Sequence, residues 1–398
     1  MQLERIQAAL RAQGVDAWLF FDHHHRDPIA YRILGLPEAM ATRRWYYLVP
    51  ATGEPRKLVH RIESGALDSL PGERREYAQW TELEGGLRGL LAGLPGHPKL
   101  AMQYSPGCQL PAVSLVDAGT VEQIRALGCE AVSSADLIAH FDAFWTPAMA
   151  ASHNTAGRIV DEAIQGAFAH VRKSLDRGEG LNEYQLQQWI LDRLVAGGLA
   201  PEGPPIVGVN AHAGDPHYQP AASGSSPIRP GDVLLLDVWG RMNQSGSAYY
   251  DVTWMGYVLR AEEQQVPDRF AKVFAIAAAA RDAGIRRVQD ALAAKRGLCG
   301  FEVDQTVRGV IRAAGLDEFF IHRTGHSLGR EIHASGANMD DYETHDVRQI
   351  LPHTAFTIEP GIYCPHGEPF GVRTEINMYV GDEAAEVTGP IQREIVRI

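Results

Sequence analysis

Apolar positions recur at helical spacing from the start of the chain, where Leu3, Ile6 and Leu10 predict a helix over residues 3–13. The run DAWLFF (16–21) predicts a strand. So does WYYLVP (45–50), which ends at Pro50 before the turn ATGEP. KLAMQY (99–104) reads as another strand and TVEQIRALG (120–128) as a short helix stopped by a glycine. Strands alternating with helices predict a small α/β domain. The pattern changes at FDAFWTPAM, where a proline precedes a long helical stretch; a boundary there divides the chain into domains over 1–146 and 147–398.

The second domain contains an internal echo. Ile159, Ala163, Ala167, Val171 and Leu175 step by four, predicting an amphipathic helix over 155–176, and a second helix over 183–196 starts from Asn182 as its N-cap. Two apolar strands follow, VLLLDVWG (233–240) and YYDVTWMGYVL (249–259), each with an aspartate among apolar neighbours. The scheme then repeats, with helices around 268–294 and 302–314 and strands AFTIEPGIY (355–363) and GVRTEINMYV (371–380), each holding a glutamate. Two helix-helix-strand-strand units predict a duplicated module with pseudo-two-fold symmetry. The expected class is α+β, with a small α/β domain leading into the duplicated one.

Composition narrows the function. With 45% hydrophobic residues over 398 positions there is ample material for buried cores. The net charge of -12 argues against nucleic-acid or anionic-membrane partners, which require a basic surface. Cys108, Cys129, Cys299 and Cys364 are scattered without a CxxC pair, as suits a reducing compartment. The N-terminal segment lacks the continuous apolar stretch of a signal peptide, and no apolar run approaches the ~20 residues of a membrane span. A soluble, cytoplasmic protein is expected.

An acid inside an apolar strand is costly unless paired or metal-bound. One such residue is more often a strand-end cap or an arginine partner. Asp237, Asp251, Glu359 and Glu375, in two matched pairs of strands, are harder to explain that way. Just upstream of Glu359, HRTGHSLGREIH (322–333) places His322, His326 and His333 in one glycine-containing segment, with His326 between Gly325 and Gly329. Four converging carboxylates would repel severely, and two divalent cations would neutralise them. Oxygen-rich ligation with one imidazole suits Mn, Co, Zn or Fe(II).

The ordered set LLLDVWG, YYDVTW, HRTGHSLGREIH, FTIEPGIY and GVRTE resembles the pita-bread metallopeptidase family, which includes prolidase and aminopeptidase P, from about residue 150 to the end. The preceding domain resembles the creatinase-type N-terminal domain. The resemblance implies two divalent metal ions per subunit, Mn, Co or Zn, held by Asp237, Asp251, His326, Glu359 and Glu375, with Asp251 and Glu375 bridging. It implies a bridging hydroxide as nucleophile and Glu359 as its proton acceptor. His322 and His333 would contact the substrate and the tetrahedral intermediate, Arg373 would orient site carboxylates, and His217 in GDPHYQP matches a histidine of proline-specific members. The implied substrate is an Xaa-Pro dipeptide or short peptide and the implied assembly a homodimer. A dipeptidase is favoured over an aminopeptidase because the long N-terminal domain would wall off the far end of the site. A metal-free amidinohydrolase or a binding protein on the same fold is disfavoured by the five retained ligand positions. Departures from the family pattern lie at Tyr250, at Trp254, in the longer loop between Asp237 and Asp251, and in DHHHRDP (22–28). That last loop would be a solvated His-rich turn, or would reach a neighbouring active site in a dimer.

Overall fold

The computed structural model describes residues 2–37 and 41–398, which form two compact units, Met1–Asp142 and Ala143–Ile398. The first unit is built on a six-stranded mixed sheet. Helix α1 (Leu3–Gln13), ended by Gly14 in the left-handed conformation, leads into β1 (Ala17–Asp22), α2 (Pro28–Leu34), β2 (Trp45–Pro50), β3 (Arg56–His60) and β4 (Glu73–Tyr77). Then come α3 (Trp80–Leu91), β5 (Lys99–Met102), α4 (Ala118–Ala126), β6 (Glu130–Ser133) and α5 (Ala135–Phe141), giving the sheet order β4-β3-β2-β1-β5-β6. Strand β1 is buried on both faces. Trp18 and Phe20 pack with Ile6 and Leu10 of α1, whereas Ala17, Leu19 and Phe21 pack with Leu83, Leu87 and Leu90 of α3. A period of two feeding two cores explains why the run reads as continuously apolar.

Thr146 accepts a hydrogen bond from the Met149 N–H and caps α6 (Pro147–Asp176), with Pro147 at the first helical position where its missing N–H costs nothing. Asn182 caps α7 (Glu183–Ala196) through a capping box with Gln185. The strands β7 (Leu199–Ala200), β8 (Ile206–Val209), β9 (Val233–Met242) and β10 (Tyr250–Tyr257) follow, with β9 at the centre paired antiparallel to β7, β8 and β10. The second half repeats this with α8 (Asp268–Ala293), α9 (Gly300–Ala313), β11 (Ser327–Leu328) and β12 (Thr354–Ile358). It ends in β13 (Gly361–Cys364), β14 (Phe370–Arg373), β15 (Ile376–Val380), β16 (Ala385–Thr388) and β17 (Val396–Arg397). Strand order β11-β12-β15-β16 answers β8-β9-β10-β17, which is the duplicated pita-bread architecture. No helix among the described residues is long and apolar enough to cross a membrane.

Two expectations need correction. The strands expected over 355–363 and 371–380 are each interrupted, between Ile358 and Gly361 and between Arg373 and Ile376. The register does not slip, since Ile358 pairs with Ile376 and Gly361 with Arg373. Pro360 cannot donate to the ladder, while the N–H groups of Glu359 and Glu375 turn to Thr324 O (2.7 Å) and Thr253 O (3.4 Å). The segment 322–333 is also not wholly loop, because Ser327 and Leu328 pair with Phe356 and Ala355 as an edge strand.

Tyr250, one of the departures, is accommodated by glycines. A Cβ at Gly157 would lie 2.6 Å from its ring and one at Gly389 would lie 2.1 Å from its hydroxyl, which donates to Asp161 Oδ1 at 3.1 Å. Burial pushes the Asp161 carboxyl up to about 6. Tyr250→Phe should lower stability by about 1–2 kcal/mol through loss of this donor, and Tyr250→Ala by about 3–5 kcal/mol through the cavity left behind. Urea unfolding midpoints check both, and an unchanged midpoint for Tyr250→Phe would show that the hydroxyl contributes nothing.

Candidate metal centre

Strand alternation decides where the four acids point. On β9, Leu234, Leu236 and Val238 pack toward α6 and α7, which leaves Val233, Leu235 and Asp237 on the opposite face. On β10, Tyr250 and Val252 face the same helices, so Asp251 and Thr253 look the other way; Thr253 pairs directly with Asp237, and Asp251 with Trp239. In the second half Phe356 and Ile358, and Ile376 and Met378, pack with residues of α8 and α9. Thr357 and Asn377 therefore face away, and Glu359 and Glu375 continue those faces by the same period of two. Each helix pair occupies one side of its strands, and every candidate acid is on the other.

These faces line a cavity of about 810 Å³. It contains Asp237, Asp251, His326, Glu359 and Glu375, and also His217, His322, His333 and Arg373, so all nine residues singled out from the sequence border one space. A ligand atom from each of Asp251, His326 and Glu375 lies within 4.8 Å of the others. His326 Nε2 is 3.4 Å from Asp251 Oδ2 and 3.5 Å from Glu359 Oε1, while its Nδ1 faces Ser327 O at 3.3 Å, so Nε2 is the atom that could ligate a cation. Gly325 is required beside it, since a Cβ there would lie 2.0 Å from Thr357 O. Asp237, beside Asp251 in the same cavity, accepts at Oδ2 from Arg373 Nη2.

The donor set fits cations. Asp237 Oδ1, Asp251 Oδ1 and Glu375 Oε1 are buried with no hydrogen-bond partner, a costly state for carboxylate oxygens. Burial, reinforced by the neighbouring acids, pushes Asp237 up to about 6 despite the opposing pull of Arg373. Burial pushes Asp251 up to about 7 and raises Glu359 and, still more, Glu375. His326 is lowered by burial. An imidazole with lowered pKa among carboxyls whose pKa values are raised for want of a counter-charge is the donor chemistry of a hard or borderline divalent cation.

Around this cluster runs an ordered chain of donors. Arg373 Nε donates to Thr253 Oγ1 (2.9 Å), and Thr253 donates onward to Glu375 Oε2 (2.7 Å). Asn377 Oδ1 accepts the Asp251 N–H (3.1 Å), and Thr357 Oγ1 both accepts the His326 N–H (3.0 Å) and donates to Glu359 Oε1 (3.1 Å). His322 is fully engaged, with Nδ1 at 2.7 Å from Arg323 O and Nε2 at 2.8 Å from the Tyr363 hydroxyl. Burial and the Arg373 charge hold it down to about 3, so it is neutral and offers no spare N–H. Its ring borders the cavity and holds the Tyr363 hydroxyl there. His333 is exposed, its ring centroid 4.3 Å from that of His326. His217 is exposed on the segment that follows β8.

Sequence reading missed Thr253, Tyr363, Asn377 and Thr357. It also missed Glu183, a buried residue whose carboxylate gathers the segment bearing His217. Glu183 accepts from the Val209 N–H (2.8 Å), the Ser226 N–H (2.7 Å) and the Tyr218 hydroxyl (2.7 Å), and lies 2.8 Å from His212 Nδ1. Its only signal is its place just after the Asn182 cap.

The raised carboxyls have a consequence for stability. An acid whose folded pKa exceeds its unfolded value stabilises the fold below the unfolded pKa and loses that contribution as pH rises through the folded one. Metal-stripped protein should therefore lose stability between the ordinary carboxylate range near 3.8 and the values of about 6 and 7 for Asp237 and Asp251. Adding Mn or Co at about 100 times its Kd should restore roughly 2.7 kcal/mol at neutral pH. Thermal melts from pH 4 to 8 with and without chelator test this, and curves indifferent to metal would contradict the assignment of the cluster.

The profile of metallopeptidase family M24 matches residues 151–382. A probable dipeptidase PepE of Mycobacterium tuberculosis is 24% identical over 353 residues, 88% of this chain and 84% of that one. A Xaa-Pro dipeptidase of Lactobacillus delbrueckii subsp. lactis is 30% identical over 234 residues, 58% of this chain and 56% of that one; at 30% identity and above, the chain spans only about half of its relatives. The crystal structure of dipeptidase PepE from Mycobacterium ulcerans superposes with a TM-score of 0.70 at 23% identity, over 100% of this chain and 96% of that one. With the family profile covering more than half of its length, including both pairs of acid-bearing strands, the chain belongs to metallopeptidase family M24.

Proposed function

We propose that the protein hydrolyses Xaa-Pro peptide bonds, with dipeptides as its substrates. The observation that carries this reading is the cluster of Asp251, His326 and Glu375, with orphaned carboxylate oxygens, in a cavity large enough for a short peptide. Relatives named as dipeptidases or as an Xaa-Pro dipeptidase support the substrate class.

Asp237, Asp251, His326, Glu359 and Glu375 would hold two divalent ions, Mn, Co or Zn. Bound there, the ions supply Lewis acidity, which polarises a carbonyl and acidifies a water near neutral pH. Glu359, half-buried and raised in pKa, takes a proton from the attacking water at its carboxylate and returns it to the departing proline nitrogen. His333, exposed beside His326, is the ring free to donate to the oxygen on which charge develops. His322 acts through Tyr363, and Arg373 keeps Asp237 and, through Thr253, Glu375 oriented. His217 contributes to the wall where substrate enters. The scissile nitrogen before proline carries no hydrogen, so the site needs no acceptor for it. Ile206, Trp239 and Ile332 provide apolar walls for the pyrrolidine ring. A homodimeric, cytoplasmic enzyme completes the proposal and rests on the family resemblance alone.

Glu359→Ala should lower turnover of Xaa-Pro dipeptides by about 10²–10⁴-fold while circular dichroism stays native; full activity in that variant would remove its assigned role. Wild-type protein reconstituted with Mn should cleave an Xaa-Pro dipeptide in preference to the corresponding tripeptide. Turnover of the tripeptide alone would make the protein an Xaa-Pro aminopeptidase.

A further inference from the structure

The first unit carries a second large cavity, about 900 Å³, that the peptidase chemistry does not use. Its lining is cationic in a chain whose net charge is -12. Arg26, Arg43 and Arg44 all border it, and none forms an ion pair with a carboxylate among the described residues. Asp117, the single carboxylate of the lining, is committed to capping α4, accepting from the Thr120 N–H at 2.9 Å and the Thr120 hydroxyl at 2.8 Å. Burial, then the charges of His24, Arg26 and Arg44, hold the His23 imidazole of the same lining below its ordinary pKa. Arg26 feels the Asp117 carboxylate and Arg43 that of Glu63, yet three guanidinium groups against a single lining carboxylate leave the cleft net positive, and a bound oxyanion would offset that charge.

The turn that presents Arg26 is held under strain. His24 and His25 both adopt left-handed backbone conformations, with φ of 64° and 54°, which side chains other than glycine rarely adopt. The buried carboxylate of Asp22 holds the turn in place. It accepts from the N–H groups of His25 (2.9 Å), Arg26 (2.7 Å) and Asp27 (3.1 Å) and from the Tyr31 hydroxyl (3.1 Å). Trp80, also in the lining, leaves 82% of its surface exposed, so its ring face is open to a flat partner entering the cleft.

We propose that this cavity binds a phosphorylated small molecule carrying a flat ring, a nucleotide in chemical class. Guanidinium groups match phosphate oxygens bidentately, and an exposed indole is a stacking platform for a base. The site is independent of the peptidase reading and stands or falls without it.

Calorimetric titration of the full-length, metal-loaded protein with ADP and with inorganic pyrophosphate tests it. Both should bind, and the double variant Arg26→Glu, Arg43→Glu, which changes only exposed side chains, should weaken both by about tenfold or more. Trp80→Ala should weaken ADP while leaving pyrophosphate unchanged. Binding that survives the double variant, as it would if the phosphates lodged on the metal centre, overturns the proposal, as does absence of binding to wild type. A change of sedimentation coefficient in the double variant without loss of a measurable ligand would assign the patch to an interface between copies and overturn it equally.

Discussion

Four carboxylates withdrawn from water into one cavity are the constraint that organises the second unit. Each like-charged pair at about 4 Å would cost roughly 4 kcal/mol even at an effective dielectric constant near 20. Among the described residues Arg373 is the one guanidinium donating to an acid of the cluster, through Asp237. The remaining charge has two physical outlets, protons or cations, and the upward shifts of all four acids are the first of these. The fold tolerates the arrangement because its helices are banked behind the opposite strand faces, where Leu234, Leu236, Ile358 and Ile376 supply apolar burial.

Much of this was legible from the chain. Acids on apolar strands announce themselves, because period-two alternation makes an ionisable residue among Val233, Leu234, Leu235 and Leu236 conspicuous. Helix α7 was equally plain, since its Asn182 cap is a local signal, whereas α6 was read only from residue 155 although it begins at Pro147 behind the Thr146 cap. The supporting polar residues were not legible. Thr253, Thr357 and Asn377 are ordinary strand residues whose partners, Glu375, His326 and Asp251, lie 122, 31 and 126 positions away, and no local pattern encodes a contact at that separation. The partners of His322 were hidden for a related reason, since the Tyr363 hydroxyl and the Arg323 carbonyl that meet its two nitrogens are set by tertiary structure.

The interruption of the second strand pair explains how the two halves of the duplicated module join. In the first half the ladder is continuous from Tyr250 to Tyr257, and both aspartates project from it directly. In the second half the break at Pro360 releases the backbone of the glutamates to bond outward, and Glu375 bonds to Thr253 twice, through its N–H to the carbonyl and through Oε2 to the hydroxyl. Thr253 also pairs across the ladder with Asp237 and accepts from Arg373. One threonine thus ties an acid of one half to an acid of the other and fixes the direction of the hydrogen bond between them. An intact ladder at 359–360 and 374–375 would spend the Glu375 N–H within its own sheet. The glutamate pair would then be aligned with each other, and the stitch to the aspartate strands would be lost.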